Sequence, residues 1–250
     1  MDKSEVYGSW FNKGAGLELL PDVNNDIRKY TGENLTLFYS EYVSLCGMLG
    51  DISSSDQQIC SRLLNDIEVS DRPGAYHRDL SSKENYDNDR EVNPISKDNL
   101  LGIVLLMRNL KLEAQLAKMR SRFVKSFGTF NNTKQIRTPF NPGFYSPFGA
   151  LLGGIIPNII GLLCLPVFFV NFIITNSKKP EDTSSRLLYF FELYQLRKHL
   201  IFGPVFWIYK KLLKRTYKSE NPLLEMCKIY YWQNENNPIR KLSEKAEGKY

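Results

Sequence analysis

The sequence predicts a mainly α-helical fold, and three observations predict it. Apolar residues recur at three-or-four spacing over 34–49 and again over 96–122. Polar residues suited to helix starts stand at the head of those runs. An apolar run at 150–175 exceeds the roughly 20 residues that cross a bilayer as helix. At 250 residues, 42% hydrophobic and 24% charged, the chain can bury a core, which excludes collagen, a disulfide miniprotein and a wholly disordered chain.

In order, residues 1–30 read as loop with one short helix near Leu17–Leu20. Residues 34–49 read as helix, with Leu35, Phe38, Tyr42, Leu45 and Leu49 as its stripe. Thr31 or Asn34 suits its N-cap and Gly50 its C-cap. A second helix is predicted over 55–67, with Ile59, Leu63, Leu64 and Ile67 facing inward. Residues 70–95 are polar, with a turn at Pro73-Gly74 and extended backbone before Pro94. Ser96 then opens a helix, and Asp98 falls in the first turn, where the dipole favours a carboxylate. Leu101, Leu105, Leu112 and Leu116 predict one continuous helix to about residue 122.

Residues 138–177 hold no charged side chain. The first part, 138–149, is too rich in Pro and Gly to read as helix. The second part, 150–175, reads as a membrane-associating segment, and Pro157 and Pro166 suit a broken or re-entrant helix. Residues 184–198 read as an amphipathic helix with aromatics on one side. Residues 200–218 read as another, bent at Gly203-Pro204. Trp207, Lys210, Lys211, Lys214, Arg215 and Lys218 on that helix fit a membrane–water interface, where rings lie at headgroup depth and Lys stems snorkel. One more helix is predicted over 222–233.

Charge divides the chain. Residues 1–100 carry 10 Lys+Arg against 18 Asp+Glu, and residues 101–250 carry 23 against 9. The expected organisation is an acidic helical domain at 1–135 and a membrane-associating region at 136–250. Nucleic acid is not the expected partner of the basic half. No helix-turn-helix, RNP or zinc-finger pattern accompanies it, and lipid headgroups account for basic clusters beside an apolar run. Cys46, Cys60, Cys164 and Cys227 match no zinc spacing, and His77 and His199 are the only histidines, so neither a metal nor a cofactor is expected. Cys46 and Cys164 read as buried thiols. The first residues hold no apolar core of signal-peptide length, so no cleaved secretion signal is expected.

Phosphate loops, GxGxxG, GxSxG and HExxH are all absent. The remaining catalytic candidates are Glu41, Arg78 and Asp98. If the helix ends converge, Glu41 and Asp98 form an acid/base pair of the glycosidase type and Arg78 holds an anionic substrate group. The alternative roles are a solvated or salt-bridged Glu41, a surface Arg78 and a helix-terminal Asp98.

Three short motifs stand in order: Ser40-Glu41-Tyr42, Pro73-Gly74-Ala75-Tyr76-His77-Arg78, and Ile95-Ser96-Lys97-Asp98-Asn99-Leu100-Leu101-Gly102-Ile103. With the apolar stretch and Asn237-Pro238-Ile239-Arg240, this order resembles an uncharacterised family of helical proteins from bacteriophages and metagenomic phage genomes. The front half also looks like helical-toroid glycan-processing proteins, in which polar residues gather at helix ends around a cleft. The resemblance implies an irregular helical bundle or a partial α/α toroid-like array. It implies a phage-encoded, membrane-associated protein in the virion or at the host envelope, with lipid, other virion or envelope proteins, or glycan as partners. A polysaccharide hydrolase or lyase and a soluble phage structural subunit are the alternatives.

Overall fold

The computed structural model describes residues 35–49, 52, 54–78, 95–126, 130–131, 137–138, 142–177 and 183–216. The readings at 17–20, Thr31, Asn34, Gly50, Pro94 and 222–233 lie outside them. The described chain is mainly α. In order it runs α1 (Leu35–Leu49), α2 (Ser54–Ile67), α3 (Lys97–Asn109), α4 (Glu113–Lys125), β1 (Phe130–Asn131), β2 (Arg137–Thr138), α5 (Pro142–Leu152), α6 (Ile155–Leu163), α7 (Leu165–Ser177), α8 (Thr183–Gln195) and α9 (Phe202–Thr216). The two strands form one two-residue antiparallel ladder.

α3 is the axis of the bundle. It packs on α1, α4, α5 and α8. Every side chain from Asn99 to Met107 is buried, so it is a core helix rather than an amphipathic surface one. α1 is enclosed in the same way, and its polar residues Thr36, Ser40, Glu41 and Ser44 are buried with its apolar ones. Close approach of α1 to α3 depends on Gly102, where a Cβ would lie 2.7 Å from Ser40 Oγ. Ser40 Oγ turns its proton back to the Thr36 carbonyl at 2.6 Å, which satisfies the hydroxyl inside the interface. Asn109 joins three helices at the other end: its Nδ2 donates to Ser44 Oγ (3.2 Å) on α1, and its Oδ1 accepts from Gln195 Nε2 (2.8 Å) on α8. One hydrophobic cluster runs from Leu37 on α1 to Tyr209 on α9, drawing on α1–α5 and α7–α9, with α6 adding only the partly buried Ile160.

α2 follows the predicted stripe, with Leu63, Leu64 and Ile67 buried. Cys46, Cys60 and Cys164 are buried. The 96–122 run is not one helix. The chain leaves α3 at Leu110, passes through Lys111 at φ 57°, and restarts as α4 at Glu113. A non-glycine residue in the left-handed region is uncommon. The turn lets α4 fold back on α3 and bury Leu116, Met119 and Phe123.

Residues 142–152 are helix, not loop. Pro142 occupies the first helical position, where its missing N–H has no intrahelical partner to lose. Pro147 lies inside α5 and forfeits one ladder bond, at about 3 kcal/mol. Tyr145 and Phe148, both fully buried, offset it, since each such side chain contributes about 1.5–3 kcal/mol. α5 ends at Gly153 and Gly154, with φ 74° and 88°. Its last carbonyls are met by arginines: Arg108 Nε donates to Leu151 O at 2.7 Å, and Arg120 Nη1 to Leu152 O at 3.4 Å. Glu113 holds both guanidinium groups, at 3.5 and 3.6 Å. Cations at a helix C-terminus oppose its negative dipole end.

The apolar run is therefore divided. α6 and α7 meet at Cys164 with a bend of 54°, and among the described residues no single helix is long and apolar enough to cross a membrane. Pro157 and Pro166 both fall in the first turn of their helices and define the restarts. Pro204 likewise sits in the first turn of α9, so Gly203-Pro204 starts that helix rather than bending it. α6 contacts α5 through small residues, and a Cβ on Gly161 would come 2.7 Å from the Ser146 carbonyl. Gly161→Ala must push backbone against backbone. It is expected to cost about 1–3 kcal/mol, read as a lower thermal midpoint; an unchanged midpoint would show that the two helices can separate freely.

Candidate functional site

The chemistry gathers at the N-terminal end of α3. Ser96 caps the helix: its Oγ accepts from Asn99 N at 3.2 Å and donates to Asn99 Oδ1 at 2.5 Å. Asn99 Nδ2 reaches the Arg78 carbonyl at 3.5 Å, which ties the 68–78 turn to the same helix end. That turn is built on Gly74, whose φ of 82° and close approach to the Lys118 carbonyl of α4 admit no side chain. Glu68 receives Gly74 N at 2.8 Å and Lys118 Nζ at 3.0 Å. Ser96→Ala is expected to remove the cap at about 1 kcal/mol. A chemical-denaturation midpoint unaffected by that change would mean that the tertiary contacts alone hold this end.

A cavity of about 500 Å³ opens beside this helix end. α3 lines it with Lys97, Asp98 and Leu101. α5 adds Gly143, Phe144 and Pro147, and α7 adds Phe168, Asn171 and Phe172. α8 supplies Tyr189 and Glu192, and α9 supplies Tyr209. A Cβ on Gly143 would run into the Asn171 amide, so a side chain there has to displace that amide. The rings form one wall: Tyr189 and Tyr209 meet edge to face at 4.9 Å, Phe168 and Phe172 lie 6.0 Å apart, and Phe172 is 6.2 Å from Tyr209.

Glu192 is the unusual group. It is 1% exposed, and its Oε1 is buried with no hydrogen-bond partner. Burial, and then the nearby Asp98 carboxylate, hold its proton well above the usual carboxyl range. Tyr189 keeps its proton to higher pH for related reasons: burial first, then Glu192 and Tyr209.

Of the three catalytic candidates, the structure places Asp98 in the cavity lining and neither Glu41 nor Arg78. Glu41 is buried within α1. Arg78 is half-buried, with its carbonyl against Asn99. Glu192 was not among the residues singled out from sequence. Its signal was a lone carboxylate whose helical neighbours at three and four positions include Leu188, Tyr189 and Leu196.

Of the interfacial candidates, Trp207 is half-exposed and Lys211 exposed. Lys210 is buried, its ammonium 4.8 Å from the Trp207 ring centroid. The side chains of Lys214 and Arg215, and the whole of Lys218, lie outside the described residues.

A second feature lies on α6 and α7. Ile155, Ile156, Ile159, Leu162 and Leu163 on α6 are exposed, as are Val167, Phe169, Val170 and Ile173 on α7. Only Pro157 and Gly161 of α6 are buried. A soluble helix turns polar residues outward, and this pair turns apolar ones.

These features define a mainly α-helical protein with an acid-lined aromatic cavity behind an exposed apolar helix pair. Comparison of the chain with protein-family models, with curated proteins and with solved structures finds no match.

Proposed function

We propose that the protein docks on a lipid membrane through α6 and α7, as a phage-encoded component of the virion or of the host envelope. The observation that carries the reading is the outward apolar surface of these two helices. Contiguous exposed apolar surface of this kind marks a membrane or a protein interaction site. Lipid is favoured because no charged residue occurs between 138 and 177, and an ordinary protein interface is rimmed by polar groups. Trp207 and Lys211 on α9, which lies beside α7 through the Phe172–Tyr209 contact, suit the headgroup layer. The virion or envelope setting comes from the resemblance of the motifs at 40–42, 73–78 and 95–103.

The depth follows from length. Helices of 9 and 13 residues span about 14 and about 20 Å, against roughly 30 Å of hydrocarbon. Neither helix alone crosses, and the pair, bent by 54° at Cys164, enters the bilayer as a broken span or a re-entrant loop.

Vesicle flotation tests this. The full chain is expected to float with phosphatidylcholine vesicles, more strongly when phosphatidylglycerol is included, and to stay bound through high salt and then carbonate. A monomer that remains in the aqueous fraction with both vesicle types would overturn the proposal. A soluble oligomer would point instead to the structural-subunit reading, with copies of the chain covering the apolar face.

A further inference from the structure

We propose that the cavity between α3, α5, α7, α8 and α9 binds an organic ammonium group. Glu192 and Asp98 hold the charge, and the rings of Phe168, Phe172, Tyr189 and Tyr209 enclose its alkyl substituents. Three features of the site carry this. First, the volume of about 500 Å³ lies in the range of small-molecule sites. Second, Glu192 lines the cavity, and its Oε1 is buried with no protein donor, although a buried acceptor ordinarily has a partner. Third, two carboxyl groups and several aromatic rings line one space, and aromatic rings are the groups that recognise alkylated ammonium ions.

The other ligand classes fit less well. An anion would be set against Asp98 and would force Glu192 to stay protonated. A neutral hydroxyl compound would satisfy Oε1 but make no use of the aromatic lining or of the second carboxyl group. Among the described residues, Lys97, half-buried on α3, is the one cation in the lining. It has a use if the ammonium belongs to a phospholipid headgroup, because it can pair with the phosphate.

The charged and titratable groups around Glu192 in the cavity are Asp98 and Lys97 from α3, Tyr189 from its own helix and Tyr209 from α9. α5 and α7 contribute no titratable group to the lining. α1, which also packs on α8, carries Glu41, outside the lining. A bound cation stabilises ionised Glu192, so binding drives off its proton. Affinity therefore rises with pH from the ordinary carboxyl range upward, until Glu192 is already ionised in the free protein.

The ammonium has two possible sources. α7 turns Phe168, Asn171 and Phe172 into the cavity while exposing Val167, Phe169 and Val170 outward, so the cavity lies directly behind the docking face. A choline lipid is one source, and that source rests on the membrane-docking proposal. A free organic cation is the other and does not.

Titration calorimetry separates them, with choline and monomeric dihexanoyl phosphatidylcholine as probes. Each probe is titrated in two buffers of different ionisation enthalpy. Binding of choline with proton release is expected if the free cation is the ligand, and binding of the short-chain lipid alone if the headgroup is. Glu192→Gln should weaken either by at least about tenfold. Asp98→Asn, a change in the first turn of α3, should weaken it as well and guards against misfolding of the first variant. No heat from either probe at millimolar concentration, binding without proton release, or equal binding by both variants would overturn the proposal. Choline binding by a protein that does not float on vesicles would sink the docking reading and leave this one standing.

Discussion

The triple variant Ile155→Glu, Ile159→Glu, Val170→Glu is expected to detach the protein from vesicles while leaving its fold intact. All three side chains are at least half exposed, and Ile155 is 79% exposed. In water their replacement removes little packing, and surface changes usually stay within about 0.5 kcal/mol each. Ile155 is the first residue of α6, where a carboxylate favours the helix dipole. In lipid the balance reverses. An apolar side chain taken fully out of water contributes about 1.5–3 kcal/mol, and an ionised one costs a further few kcal/mol, depending on depth. Even half of the apolar term lost at three positions, with the charge penalty added, amounts to about 4–8 kcal/mol. At 1.4 kcal/mol per tenfold, partitioning falls by about a thousandfold or more. Flotation and a circular-dichroism melt on the same preparation read both halves of the prediction. Retained flotation would show that α6 and α7 do not carry the docking. A collapse of the melt would show that these side chains belong to the folded core.

Much of the helical layout was legible in the sequence, because burial leaves a periodic trace. Leu63, Leu64 and Ile67 on α2 and the Ser96 cap of α3 are read directly from spacing and residue type. The break between α3 and α4 was not legible. It depends on Lys111 at positive φ, and no glycine or proline announces it. α5 was hidden for the opposite reason. Its proline and glycine content reads as loop, yet Pro142 stands where a helix tolerates it, and two buried aromatics offset Pro147. The 200–218 segment reads as an interfacial helix with a basic cluster, but Lys210 folds over Trp207, which is a matter of side-chain packing that spacing does not encode. The candidate site was least legible. Asp98 stood out by its place in a first turn. Glu192 did not, because a single acid among Tyr, Phe and Leu is defined by the helices that close over it, and those come from distant parts of the chain.

Glu192 also gives the second large expected effect. The Glu192→Gln variant is expected to melt higher than wild type near about pH 8 and together with it near about pH 4.5. In the unfolded chain this carboxyl loses its proton near its ordinary value, about 4.3. In the fold, burial and then the Asp98 charge keep the proton on to much higher pH. Between those two values the folded state binds more protons than the unfolded state, so stability falls as pH rises through the window. The term is fully favourable below the unfolded value and is lost progressively up to the folded one. Glutamine has the shape of the protonated acid and nothing to ionise, so it removes this pH dependence. Leaving a buried polar group uncompensated costs about 1–3 kcal/mol. Each kcal/mol moves the midpoint of a chain this size by about 2–4 °C, so a gain of several degrees is expected at the higher pH. Tyr76 and Tyr145, whose protons are also held by burial, act at still higher pH and are common to both proteins, and Tyr189, held by burial first and by Glu192 only second, also titrates above this window. The difference between the two melting curves across pH therefore belongs to Glu192. Parallel profiles would mean that Glu192 titrates as an exposed acid and that water fills the space around Oε1. A divergence that closes when choline or the short-chain lipid is added would mean that the ligand supplies the missing partner, because a cation in the cavity stabilises the ionised wild-type carboxylate and has no equivalent effect on the amide.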